Sequence, residues 1–206
     1  AAASETEQAE ESVKPETPTG QLVLGFITDL EGEFYDPSFN NTATNYKAYD
    51  LIHGYSTVTY TKEGEFEYDP TVVASHEEVE NEDGTKTYTV TINDGLTWND
   101  GTPITAKDYV FQMLLESSPE MNQVDGYPCL TGNYYVGYEE FLAGETEAFA
   151  GVHLIDDMTF SLTVKAEELP FHYDITYASA KPRALPVVAP RWGVVGTGEG
   201  ASITRS

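Results

Sequence analysis

Four histidines, one cysteine and 35 carboxylates are the chain's reactive side chains, and their spacing limits what they can do. His53, His76, His153 and His172 are scattered. No His-Glu-x-x-His pair sets two imidazoles on one helical turn, so a zinc site is not expected. Cys129 has no second cysteine to pair with, and beside Pro128 it has no recognisable base partner. The Gly-x-Ser-x-Gly nucleophile elbow of α/β-hydrolases does not occur. So many carboxylates bring some into proximity by chance, which gives glycosidase chemistry no positional support. Asn81, Asp83 and Gly84 have the opening of a calcium loop but lack its downstream bidentate glutamate, and a hairpin turn explains them better. Gly196-Thr197-Gly198-Glu199-Gly200 after Val194-Val195 mimics a dinucleotide loop, but no helix-forming stretch follows it. The expectation from these residues is no metal and no cofactor, and no recognisable catalytic motif.

Charge narrows the partners. Ten Lys and Arg stand against 35 Asp and Glu, a formal net charge of −25 over 206 residues. Phosphate backbones need a basic face, so nucleic acid is excluded as a partner. Docking of the folded body on an anionic membrane is disfavoured for the same reason. The charge fits a solubilising acidic surface better than long-range steering of cationic ligands, because exposed charges are screened beyond roughly 8 Å at physiological salt. No stretch reaches the ~20 apolar residues of a membrane span.

Residues 1–20 hold five glutamates and two prolines, with Val13 the one large aliphatic residue. Such a segment cannot offset its ordering entropy by burial, and reads as a disordered acidic tether. It suits an exported protein held near a surface, and a plain unstructured N-terminus equally well. Residues 21–206 form the second unit.

The elements of that unit follow from periodicity. Leu22 to Ile27 is an apolar run that predicts a buried strand, ending at Asp29-Leu30-Glu31-Gly32. A polar loop to Asn45 precedes a short helix around Lys47 to His53 and a strand from Thr57 to Tyr60. Phe66 to Pro70 and Val72 to Glu80 are extended. In Thr85 to Asn93, Tyr88, Val90 and Ile92 alternate with threonines, the period of a half-buried strand. Asn81-Glu82-Asp83-Gly84 joins the last two as a hairpin. Thr105 with Asp108 three residues on forms a helix start, and Ala106, Val110, Met113 and Leu114 share a helical face that Pro119 closes. Tyr138 to Leu142 is a short helix stopped by Gly144. Val152 to Ile155 pairs with Phe160, Leu162 and Val164 across Asp156-Asp157. Pro170 opens a helix to about Ser179, and the prolines after Lys181 impose an extended, strand-poor path with no terminal helix or strand.

The run from Gly64 to Phe111 carries a specific pattern: Asp83, Gly84 and Tyr88, then Trp98, Asp100, Gly101, Thr102, Pro103, Thr105, Ala106, Asp108, Val110 and Phe111. It resembles the hairpin, turn and capped helix of the extracellular solute-binding proteins of family 5, the peptide-binding components of ABC importers. Ile155-Asp156-Asp157-Met158-Thr159 and Leu169-Pro170-Phe171-His172-Tyr173 extend the likeness to roughly residues 22–200. The resemblance implies an α+β fold: antiparallel β-ribbons or a mixed sheet with a few short helices, the N-terminal portion of a type II periplasmic-binding-protein clamshell. Family members are far longer, so the second lobe, with its acidic residue for the peptide amino terminus, is expected to be absent.

By the same resemblance, the ligand is an oligopeptide or other small solute and the partner is a membrane permease. The setting is extracellular or periplasmic, with a lipid anchor. The site residues implied are Thr28, Asp29, Leu30, Glu31 and Asn45 on the loop after the first strand, with Tyr127, Tyr134 and Tyr135 on an aromatic loop. The turn around Trp98 needs no ligand to explain it, and Trp98 itself reads as a packing residue. An extracellular glycan-binding module is the alternative, given 12% aromatic residues and β-ribbons. A surface hydrolase is a third, requiring a clustered carboxylate pair in a pocket.

Overall fold

The computed structural model describes residues 20–21, 23–30, 42–124 and 131–205. Its centre is a four-stranded sheet in the order β3-β4-β6-β5, built from β3 (Val73–Glu80), β4 (Lys86–Ile92), β5 (Val152–Leu154) and β6 (Thr159–Val164), with every pairing antiparallel. The alternation read in β4 places Tyr88, Val90 and Ile92 inward, all at most 2% exposed. The register sets Tyr88 against Leu162 and Val90 against Phe160, so each inward residue meets an inward residue of β6. Thr87 and Thr91 turn the other way, and their hydroxyls pair with those of Thr163 at 3.0 Å and Thr159 at 3.2 Å. The β3–β4 turn is the expected hairpin: Asn81 N–H donates to the Thr85 carbonyl at 2.8 Å, with Gly84 at φ +85°.

Edge strand β3 is exposed along its length after Val73 and carries Glu77, Glu78 and Glu80. Charge on an edge strand discourages pairing with another chain. A small ribbon of β1 (Val58–Tyr60) and β2 (Phe66–Tyr68) stands beside it.

Helix α2 (Ala106–Glu116) lies against β5, β6 and the last two strands. Its start is the predicted capping box. The Thr105 backbone N–H donates to Asp108 Oδ2 at 2.9 Å, and the Thr105 hydroxyl is 3.2 Å from the same oxygen. The sequence marked one apolar face; the structure buries the helix almost all round, including Gln112 and Glu116. Tyr109 stacks on Phe160 with centroids 5.4 Å apart, and Phe111 meets Trp192 edge-on at 6.4 Å. Each such fully buried large side chain contributes about 1.5–3 kcal/mol.

Several expectations are corrected. Residues 23–27 form no strand, and Val23 and Ile27 are exposed; an apolar run becomes a buried strand only when a partner ladder covers it, and no described residue pairs with it. Helix α1 begins earlier than expected, at Ala43, and runs to Ile52, because Thr42 supplies an N-cap that accepts from Asn45 N–H at 3.3 Å. Pro119 starts a new short helix, α3 (Pro119–Val124), rather than only ending α2. The helix expected after Pro170 is reduced to a 3₁₀ turn at Asp174–Ala178; of its stripe, Ala178 is buried and Ile175 packs against the core, while Phe171 is exposed. α4 (Tyr138–Leu142) forms as predicted.

The largest difference is at the end of the chain. The proline-rich stretch holds α5 (Leu185–Val188), and β7 (Trp192–Thr197) and β8 (Gly200–Arg205) then form an antiparallel hairpin. The glycines that mimicked a dinucleotide loop let this hairpin approach its neighbours. A Cβ on Gly196 would lie 2.3 Å from the Leu154 carbonyl oxygen, and one on Gly200 2.3 Å from that of Phe149.

Candidate functional site

The residues implied as ligand contacts fall into two groups, at opposite ends of one connected set of contacts. In the first, Thr28, Asp29 and Leu30 are exposed and lie outside any strand. The Thr28 hydroxyl meets the Thr44 hydroxyl at the start of α1, anchoring the segment to the helix N-terminus. Asn45, one residue on, is completely buried. Tyr49, a turn later, is buried and stacks on His53 with centroids 4.1 Å apart. Lys181 places its ammonium 5.2 Å from the Tyr49 ring centroid and 2.8 Å from Asp50. Residues 23–30 are an exposed, non-strand segment that bends at Ile27 and Thr28 and is held to the start of a capped helix through Thr28. Glu31 lies outside the described residues, as does Tyr127.

In the second group Tyr135 is completely buried and its hydroxyl donates to the Tyr177 carbonyl at 2.6 Å. Burial pushes that phenol well above its ordinary pKa, so it stays neutral and acts as a donor. Tyr134 is half-buried, edge-on to Tyr135 at 4.6 Å and tilted against Tyr177 at 4.8 Å. The 3₁₀ turn links this group to the ribbon: Thr57 donates its hydroxyl to the Ala178 carbonyl at 2.6 Å, and its N–H to that of Ala180 at 3.0 Å. Thr44 and Tyr177, which hold Thr28 and Tyr135, were not found from the sequence. They are distant along the chain from the residues they hold, and spacing carries no signal for such pairs.

A polar network braces the same turn against the sheet. Lys86 sits 2.6 Å from Asp174 and 2.7 Å from Glu78, and Glu78 accepts from the Tyr68 hydroxyl at 3.0 Å. Burial works against the Lys86 charge, but its two carboxylate bonds outweigh that and raise its pKa. Burial likewise pushes Asp174 up, and Lys86 more than reverses it, so its carboxyl titrates below the usual range.

The clefts lie elsewhere. One, about 1080 Å³, runs between residues 136–150 and the β7–β8 turn and is lined by Glu140, Glu145, Glu147 and Glu199. A smaller one, about 400 Å³, lies between the end of α2, α3 and the segment from Val188 to Trp192, and it includes Arg183 and Arg191. Neither contains a residue implied by the resemblance. Among the described residues, no three His, Cys, Asp or Glu side chains gather as metal ligands, and no helix is long and apolar enough to cross a membrane.

Residues 67–199 match the model of the bacterial extracellular solute-binding proteins, family 5. A 92-residue stretch is 32% identical to the periplasmic oligopeptide-binding protein OppA of Salmonella typhimurium, covering 44% of this chain and 16% of that protein. The same identity and coverage hold for the OppA of Escherichia coli. Among solved structures, OppA of Haemophilus influenzae in complex with RPPGFSPFR superposes with a TM-score of 0.57 at 18% identity, over 80% of this chain and 34% of that one. OppA of Burkholderia pseudomallei gives 0.57 at 18% identity, over 83% and 35%. At these identities the superpositions establish the fold. The chain spans about a third of the length of these solved relatives, 34% and 35%.

Proposed function

The chain belongs to the bacterial extracellular solute-binding proteins of family 5, and we propose that it is part of the capture component of an ABC importer that takes up oligopeptides. The observation that carries this reading is the family match over residues 67–199. It contains the hairpin, turn and capped helix, and it is joined by identity to a periplasmic oligopeptide-binding protein.

The ligand end of the proposal rests on peptide physics. Main-chain hydrogen bonding to an extended peptide is indifferent to its sequence, and Thr28, Asp29 and Leu30 supply exposed backbone pinned through Thr44. Side chains of the cargo would sit in wet surroundings where water bridges replace direct contacts. Two lobes would close about a hinge and present the loaded form to the permease. Residues 1–20 would tether the binding body, lipid-anchored, on the outer side of the membrane. The protein's part is binding, with no covalent step.

The test uses the gene's full-length product. Expected outcomes are co-purifying peptides by mass spectrometry and loss of labelled-peptide uptake when the gene is deleted. Peptide-free protein that instead retains glycans on an array sinks the proposal in favour of the glycan-binding alternative.

A further inference from the structure

A run of aromatic rings crosses the surface from the β1–β2 ribbon to the 3₁₀ turn. Tyr60 meets Phe66 at 4.6 Å between ring centroids, Phe66 meets Tyr173 at 5.7 Å, and Tyr173 meets Phe171 at 6.0 Å. The rings pack on one another, yet three remain open to solvent: Tyr60 is 61% exposed, Tyr173 48% and Phe171 43%. Their interplanar angles are 85°, 74° and 76° along the run, so neighbouring faces do not lie in one plane.

Carboxylates outnumber cations around this surface. Glu78 and Asp174 share one ammonium, that of Lys86, and Glu168 is exposed nearby. Burial, with the charges of Glu168 and Asp174 added to it, raises the phenol pKa of Tyr177, the ring against which Phe171 tilts at 5.5 Å. The ribbon itself carries Glu63, Glu65 and Glu67 against Lys62. Elsewhere the fold sets its own cations over rings: Lys86 at Tyr88, Lys165 at Tyr138, Lys181 at Tyr49 and Arg205 at Trp192. Each of these contacts among the described residues uses a ring other than Tyr60, Phe171 and Tyr173.

We propose that this surface docks a segment of a partner protein that presents arginines, with guanidinia laid on the open ring surface of Tyr60, Phe171 and Tyr173 and their charge balanced by the surrounding carboxylates. A guanidinium is planar and weakly hydrated, and it stacks on aromatic faces. Exposed aromatic residues are enriched where proteins meet other proteins. Charge selects the occupant. A second copy of this chain brings the same negative surface and a formal charge of −25, so like charges would face each other. Anionic lipid is opposed for the same reason. A neutral sugar gains nothing from the carboxylate field, and the steep angles between neighbouring rings deny it a flat stacking platform. The inference does not rest on the peptide-import reading, because its probe is blocked at both ends and is read on this chain by itself.

The 206-residue chain is titrated at low salt with acetyl-Gly-Arg-Gly-Arg-Gly-amide, following the ring signals of Tyr60, Phe171 and Tyr173 by NMR. Saturation is expected with a Kd on the order of 1 mM, weakened at least three-fold when the salt is raised to 300 mM. The same peptide with citrulline, an uncharged isostere, at both arginine positions is expected to bind at least five-fold more weakly. Tyr60→Ser and Phe171→Ser are each expected to weaken the arginine peptide at least three-fold, with thermal melts confirming that both variants fold. The citrulline comparison tests the proposal on the unaltered protein even if a variant does not fold. No saturable shift at 20 mM peptide, a citrulline peptide as tight as the arginine one, or unchanged affinity in the folded variants overturns the proposal. Maltose saturating the same signals more tightly than the peptide overturns it in favour of sugar stacking. A dimer in sedimentation that is lost in Tyr60→Ser overturns it in favour of a second copy.

Discussion

The Thr105 backbone N–H and the Asp108 carboxylate are 2.9 Å apart, and the second Asp108 oxygen accepts from the Leu185 N–H at 3.3 Å. One side chain thus closes the start of α2 and ties it to the first residue of α5. Burial raises the Asp108 pKa above the usual carboxylate range, against the hydrogen bonds that lower it.

Asp108→Ala is expected to lower stability by about 1–3 kcal/mol, because two backbone donors lose their acceptor and the cap is lost. Urea unfolding checks this. A loss below 0.5 kcal/mol would mean that water replaces the carboxylate at both donors.

The pH dependence follows from Lys86 and Asp174. Asp174 is depressed in the folded protein, so its contribution is present above its unfolded pKa, about 4, and is lost as pH falls through the lower folded value. Lys86 is raised, so its contribution is full below its unfolded pKa, about 10.4, and is lost as pH rises through the higher folded value. The clamp therefore acts between about pH 4 and 10. Lys86→Met is expected to cost about 1–2 kcal/mol at pH 7, with the pair partly exposed and screened, and to flatten the acid limb of a thermal-melt series. An acid limb identical to wild type would show that Asp174 does not need Lys86.

The glycines of the last hairpin are expected to differ sharply. Gly200→Ala places a methyl 2.3 Å from the Phe149 carbonyl oxygen at a φ of +134°, whereas Gly198 has nothing within 4 Å of an added Cβ. The first is expected to destabilise by roughly 2–4 kcal/mol and Gly198→Ala by under about 0.5. Equal effects on denaturation midpoints would contradict the packing described for β8.

Tyr135→Phe separates a packing role from ligand contact. The change removes the 2.6 Å bond to the Tyr177 carbonyl and is expected to cost about 1–2 kcal/mol of stability, with peptide affinity of the full-length product unchanged. A tenfold affinity loss without destabilisation would return Tyr135 to the binding site.

Peptide binding by the 206-residue chain itself is expected to be weak or undetectable by calorimetry. Micromolar affinity, about −8 kcal/mol, would show that these residues suffice for capture.

Much of the fold was legible because its signals are local. The threonine alternation of β4, the Asp83-Gly84 turn and the Thr105–Asp108 spacing each specify a conformation within a few residues, and all three appear in the structure. The β7–β8 hairpin was missed because glycine dilutes the alternation, and the need for glycine comes from carbonyls some 40–50 residues away in sequence. The candidate site was less legible than the fold. A resemblance pointed to Tyr134 and Tyr135 alike, yet only packing decides that one is half-buried and the other wholly enclosed.

By itself the sequence determined the family pattern, the acidic character and the hairpin–turn–helix block, since turn chemistry, capping and period-two burial act through neighbouring residues. Tertiary structure alone decided that residues 23–27 stay out of a ladder, that the stretch after Pro170 shrinks to one 3₁₀ turn, and that Arg205 covers the Trp192 ring. Each outcome depends on which distant surface is there to cover a segment. Desolvation and close contact are properties of such pairs, and no spacing along the chain records them.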